Sequence, residues 1–132
     1  MTDMIQVQTS DLAGAALDWA VANVEEVPVL IAAPHYGTDW RVYKPEFGGK
    51  YSPSKNWTVG GPILEKYQIS LHSPQHENDC WAAWLTIDGK EYVQGGDNAL
   101  SAACRAVVAA KQGTSVAVPQ ELFPQVASSK AR

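Results

Sequence analysis

The dipeptide Asp88-Gly89, set between the apolar run WAAWLTI (81–87) and the mixed run KEYVQ (90–94), is the strongest constraint on how this chain can fold. Both residues tolerate the positive φ of a two-residue hairpin turn, so the flanking runs are expected as adjacent antiparallel strands. Gly95-Gly96-Asp97 then leads into a predicted helix over 98–112. Its alanines, with Leu100, Cys104, Val107 and Val108, make a face that can approach a sheet closely, and Gly113 is placed to cap its C-terminus.

The remaining elements are read around that unit. Residues 5–8 suit a short edge strand, and Thr9-Ser10-Asp11 supplies oxygen-bearing side chains for a helix start. The helix is expected over 11–25, with Leu12, Ala16, Trp19 and Ala20 on one apolar stripe and Leu17, Val21 and Val24 widening it. Pro28 ends it, 29–32 reads as a strand, and 39–43 as another. A long irregular loop is expected over 33–61, because Gly, Pro, Ser and Asn crowd there. Pro62 is read as the first turn of a short helix over 63–66. Residues 69–72 are read as a strand, 116–118 as a last edge strand and 119–122 as one helical turn.

The expected fold class is thus α+β: an antiparallel sheet of about four strands, two helices packed on one face, and a long irregular central loop. One domain is expected over 1–126, followed by a polar tail over 127–132. The order of elements superficially resembles that of double-stranded RNA-binding domains. The helix 98–112 carries only Arg105 and Lys111, not a phosphate-gripping cluster, so nucleic acid is not an expected partner.

Composition narrows the function classes. A net charge of −4 argues against general attachment to nucleic acid. Cys80 and Cys104 lie far apart with no CxxC or Cys/His cluster, so no zinc or redox motif is expected; they are read as buried reduced thiols, with a disulfide as the alternative. The start MTDMIQVQTSD has no basic region followed by an apolar core, and no apolar run reaches membrane-spanning length. A soluble protein of the cytosol is therefore expected. Five Trp residues are many for 132 residues and point to an aromatic binding surface.

The segment 51–71, YSPSKNWTVGGPILEKYQISL, concentrates the residues that packing explains least. Tyr36, Trp40, Tyr43, Tyr51 and Trp57 offer flat faces for stacking on a base or on a partner's apolar groups. From Arg41 to Lys66 five basic residues (Arg41, Lys44, Lys50, Lys55, Lys66) stand against Glu46 and Glu65, a local reversal of the net charge that suits an anionic ligand. Gly60 and Gly61 before Pro62 could aim backbone amides at a phosphate, although Pro62 itself has no donor. The ligand-binding candidates are Trp40, Arg41, Tyr51, Lys55, Asn56, Trp57, Gly60, Gly61 and Glu65. Trp57 either stacks on a ligand or closes a packed turn, and Glu65 either acts at the site or pairs locally. Arg105 is read as solvated, Trp19 as core, and Trp81 and Trp84 as facing opposite sides of their strand.

No nucleophile with a supporting base is evident, His72, His76 and Glu77 have no helical metal-ligand spacing, and the Gly-Gly pairs match no dinucleotide fingerprint. No metal, cofactor or catalytic residue is expected, and binding is favoured over turnover. Exposed strand edges at 90–94 or 116–118 make a homodimer a further expectation.

Three blocks resemble a family of small phage and prophage proteins of unassigned function. They are TSDLAGAALDWAV (9–21), YSPSKNWTVGGPILEKYQISL (51–71), and ALSAACRAVVAAKQG with VPQEL within 99–122. They are similar to the family's L-x-G-x-A-L-D-W-A-V start, its Y-x-P-S-x-x-W-x-x-G-G-P-I-I-E centre and its V-P-x-E-L ending. The chain departs from the pattern mainly over 32–50. The resemblance implies a phage accessory protein. Joined to the residues above, it leads to an expected binder of a small anionic, nucleotide-like molecule, such as a host defence signal. The alternatives are a protein–protein inhibitor or adaptor of a host or phage protein, and a small nucleotide hydrolase using Glu65 or a histidine.

Overall fold

A computed structural model describes residues 3–37, 39–46 and 49–123; the proposed tail over 127–132 lies outside the described residues. The hairpin unit folds as its turn chemistry dictates. Strands β5 (Trp81–Ile87) and β6 (Lys90–Gly96) pair antiparallel from Ile87↔Lys90 to Trp81↔Gly96. Asp88 and Gly89 both have positive φ, 54° and 78°. Strand β4 (Ser70–His72) adds to the other edge of β5. Helix α3 (Ala99–Gln112) packs across this sheet, with Asn98 Oδ1 accepting the Ser101 N–H at 2.9 Å and Gly113 closing the far end.

The contact between α3 and β6 depends on a missing side chain. A Cβ on Gly96 would fall 2.6 Å from the Ala102 nitrogen, so only glycine lets the helix backbone come this near. The alanines at 102, 103 and 106 serve the same approach and are fully buried.

The sheet arrangement differs from the expected four-stranded layer. The described residues form three small antiparallel sheets: β4-β5-β6, a second joining β1 (Met4–Gln8) to β7 (Ser115–Pro119), and a third joining β2 (Leu30–Ala32) to β3 (Arg41–Tyr43). The described residues also hold three α-helices, not two. The segment read as an edge strand at 116–118 spends one edge on the N-terminal strand, with Ile5↔Val118 and Val7↔Val116 in register.

Helix α1 (Gly14–Glu25) begins later than residue 11 because Thr9 is used elsewhere. Its N–H donates to Thr114 O at 2.8 Å and its Oγ1 to Gly113 O at 2.7 Å, both beyond the end of α3. Thr9–Asp11 consequently forms a short 3-10 turn, and α1 starts after Ala13 with no side-chain cap. At the other end Glu26 adopts a left-handed conformation, and the Val27 N–H returns to Ala22 O at 2.9 Å.

The largest correction lies in the centre. Gly60, Gly61 and Pro62 do not form a turn before a short helix; they lie inside helix α2 (Trp57–Tyr67). Asn56 starts it, its Oδ1 accepting the Thr58 N–H at 2.9 Å. Pro62 removes one helical hydrogen bond, and the helix continues because the other turns and the buried Ile63 hold it. The expected long loop shrinks accordingly, since 41–43 is strand and 57–67 is helix. Residues 51–54 between them are buried, with the Tyr51 N–H on Val42 O and the Asn56 N–H on Ser52 O, each at 2.8 Å.

The two central glycines have different environments, which makes a test. A Cβ on Gly60 would meet Pro53 O at 2.4 Å and Leu100 Cδ2 at 2.8 Å, whereas a Cβ on Gly61 would meet nothing within 4 Å. Gly60→Ala is expected to destabilise by roughly 1–3 kcal/mol through overpacking. Gly61→Ala is expected to stabilise by about 0.5–1 kcal/mol through helix propensity. Urea denaturation midpoints of the two variants check both signs; a shared sign would contradict the helical placement.

Candidate functional site

The ends of several elements leave a cavity of about 890 Å³ between them. Ala13, Gly14 and Ala15 bring the start of α1 to it, and Asn98 and Ser101 bring the start of α3. Amides in a first helical turn have no intrahelical acceptor, and α1 has no side-chain cap to satisfy them. Asp39, Trp40, Arg41 and Val42 form another wall, Lys50 and Lys55 a third, and Glu121 and Leu122 come from the turn after β7.

Arg105 also lines this cavity, and its role overturns the expectation of a solvated residue. Its Nε donates to Leu12 O at 2.7 Å and its Nη1 to Gly95 O at 2.8 Å. One half-buried guanidinium thus ties the chain before α1 to β6 and α3. Among the described residues it has no carboxylate partner, and neither do Lys50 and Lys55. None of the three is taken up in an ion pair among the described residues, although Asp18, Asp39, Asp97 and Glu121 line the same cavity.

Asp18, on α1, is the second residue that matters here. It is 3% exposed, lines the cavity, and accepts the Ser54 N–H at 2.9 Å. Burial pushes its carboxyl up to about 6, against the opposing pull of the Ser54 N–H and of the Lys55 and Lys50 charges. Burial also raises the Cys104 thiol and the Tyr51 hydroxyl. Asp18 is thus a carboxyl held at the cavity where burial opposes its charge.

Of the nine candidates from the sequence, Trp40, Arg41 and Lys55 line the cavity. The other six are not part of its lining. Tyr51 is 6% exposed and belongs to the core. Asn56 caps α2, so its oxygen is committed. Trp57 is 55% exposed on the first turn of α2. The Gly60 N–H donates to Asn56 O at 2.8 Å, so it is not presented to a phosphate. Gly61 lies within α2, and Glu65 is exposed on it. Lys66 of the basic patch pairs with Glu25 at 2.9 Å, away from the cavity.

Sequence reasoning missed Asp18, Asp97, Arg105 and Glu121. For Arg105 the signal was present: Ala102, Val108 and Ala109, three and four residues away, are buried, so its stem had to cross an apolar face. Asp18 sits between Leu17 and Trp19 in the opening motif, a carboxylate among packing residues. Cys80, expected buried, is exposed, while Cys104 is buried. No group of three metal-ligating side chains occurs among the described residues, and no helix there is long and apolar enough to cross a membrane.

The raised Asp18 value has a definite sign for stability. The folded state holds the proton more tightly than the unfolded chain, whose aspartate titrates near its ordinary value of 3.8. The stabilisation is complete below pH 3.8 and is lost as the pH rises through about 6. Asp18→Asn keeps an acceptor for Ser54 without the buried charge. At pH 7.5 it should stabilise the fold by up to about 3 kcal/mol, and by much less at pH 4.5. Thermal melts of both proteins across that range check this; a pH-independent difference would contradict it.

A comparison with known proteins places these features in a family. No curated protein matches the chain. The family described as "Bacteriophage P22, NinX" matches residues 8–111, which carry Asp18, Trp40, Arg41, Lys50, Lys55 and Arg105. That match spans most of the chain and bears out the resemblance to a phage family, although the VPQEL ending (118–122) lies beyond it: the chain belongs to this family of small phage proteins.

Proposed function

We propose that this phage protein binds a small anionic, nucleotide-like molecule in the cavity between the starts of α1 and α3, and acts by holding it, not by converting it. The observation that carries the reading is Arg105, a half-buried guanidinium at the cavity with no carboxylate partner among the described residues. Arg41, Lys50 and Lys55 add positive charge around it, and the uncapped first turn of α1 adds amide donors. Trp40 supplies a ring for a base. The volume suits a ligand of nucleotide size. In a phage protein such binding would serve to remove a nucleotide-derived defence signal from the host cytosol.

The hydrolase alternative named Glu65 or a histidine as base; Glu65, His35, His72 and His76 are exposed and do not line the cavity. A second reading, docking to a host or phage protein, is favoured by one observation. Trp57 is 55% exposed and Tyr36 93%, both outside the cavity. Large apolar side chains in the open are what a partner would cover.

The two readings separate in one experiment. Purified protein is titrated with purine nucleoside monophosphates while its melting temperature is followed. The double variant Lys50→Gln/Lys55→Gln is expected to bind at least about tenfold more weakly, since each charge-assisted hydrogen bond contributes roughly 1.5–3 kcal/mol. Trp57→Ala is expected to bind as the parent does. No melting shift with any nucleotide, or an unaffected double variant, would overturn the cavity reading. A changed ligand after denaturation would overturn holding without turnover.

A further inference from the structure

The fold covers one face of the sheet β4-β5-β6 and leaves the other open. Ala83, Leu85 and Gly96 share the face that meets α3, and all three are buried. Leu71, Trp81, Ile87 and Tyr92, on the same face by register, pack against the core. No residue of the opposite face is buried, and Trp84 there is not packed against the core.

That open face is apolar at its centre. Antiparallel sheets that meet water alternate apolar inward and polar outward positions. Here Ala82, Trp84 and Val93 are outward, with Trp84 directly opposite Val93 across β5 and β6. Val93 is 46% exposed. Trp84 stands on the middle strand, and the His72 ring meets it edge-on at 6.0 Å. Ser70, His72, Thr86 and Glu91 surround this centre and are exposed. An apolar centre holding a Trp, inside a polar rim, is the anatomy of a protein interface.

The rim identifies the partner. His72 lies on the β4 side, opposite Ala82, two residues from Trp84 toward the start of β5. Glu91 lies on the β6 side, opposite Thr86, two residues from Trp84 toward the end of β5. The two therefore stand at opposite ends of a diagonal through Trp84. Consider a second copy turned over about a two-fold axis through Trp84, perpendicular to that diagonal. It sets His72 of each copy on Glu91 of the other. An imidazole N–H donates to a carboxylate whether or not the ring is charged. An interface of this symmetry needs one patch to carry both members of every pair, and this patch does.

We propose that this sheet face joins two copies of the chain, with Trp84 at the centre and a His72–Glu91 pair at each end. None of these residues lines the cavity, so the inference stands apart from the binding reading above.

The test is sedimentation velocity of the full chain over about 1–100 μM, the range expected for a modest interface. The mass should pass from one chain to two as concentration rises, and Trp84→Ala should stay at one chain throughout, with a melt to verify its fold. Glu91→Lys should weaken the dimer at least about tenfold, and the reversed pair His72→Glu/Glu91→Lys should restore it to within about threefold. Both of these positions are exposed, so these variants decide the matter even where Trp84→Ala disturbs folding. A single chain at every concentration would overturn the proposal and leave the face to another partner. A dimer that survives Trp84→Ala would assign the contact to a strand edge instead. Failure of the reversed pair to restore association would refute the diagonal arrangement.

Discussion

The structure depends on one guanidinium bridging two carbonyls. Arg105 reaches from α3 to Leu12 O at 2.7 Å and to Gly95 O at 2.8 Å, so the chain before α1 meets β6 and α3 at one planar group. The two acceptors fix the ring of donors in orientation, because a guanidinium can satisfy both only within a narrow geometry. The segment entering α1 and the end of β6 are thereby set relative to each other. The cavity is the space those two segments and α3 leave, so its shape follows from the same contact.

That contact in turn needs backbones that approach closely. Gly96 faces Ala102 without a side chain, and Gly60 faces Pro53 O and Leu100. With alanines filling much of α3, the elements come together through small residues. Close packing of this kind traps polar groups at the junctions: Thr9, Asp18 and Ser54 are nearly or fully buried. Thr9 is satisfied by carbonyls at 113 and 114, a structural use that moves the start of α1 to Gly14. Asp18 is satisfied only in part by Ser54 and holds a charge the interior resists. A fold selected for stability alone would replace it.

What the sequence disclosed follows from the range of each interaction. Local chemistry was legible: Asp88-Gly89 specified the β5–β6 hairpin, Asn98 and Gly113 bounded α3, and Pro119–Leu122 formed its turn. The three-sheet topology was not, because β1 and β7 pair across almost the whole chain and nothing local marks that choice. Gly60-Gly61-Pro62 misled for a related reason. Gly and Pro argue against a helix on their own, and the reason for Gly60 is a tertiary contact with residues 53 and 100. Trp40, Arg41 and Lys55 could be chosen from charge and aromaticity, yet the partners that make a site of them come from α1, α3 and the turn after β7.

The same distinction bears on which surface a functional account should rest. Trp57 attracts attention in the sequence, but it lies at the surface of α2, outside the cavity. Asp18 and Arg105 are charged groups in places where burial opposes charge, and packing contacts alone do not account for the charge of either. Arg105 could be replaced as a clamp only by another multidentate donor, and Asp18 as an acceptor by asparagine. The chain thus keeps a guanidinium and a carboxyl raised to about 6 on one cavity without an ion pair between them. It is the kind of unspent electrostatics that a ligand bearing both acceptors and donors would complete.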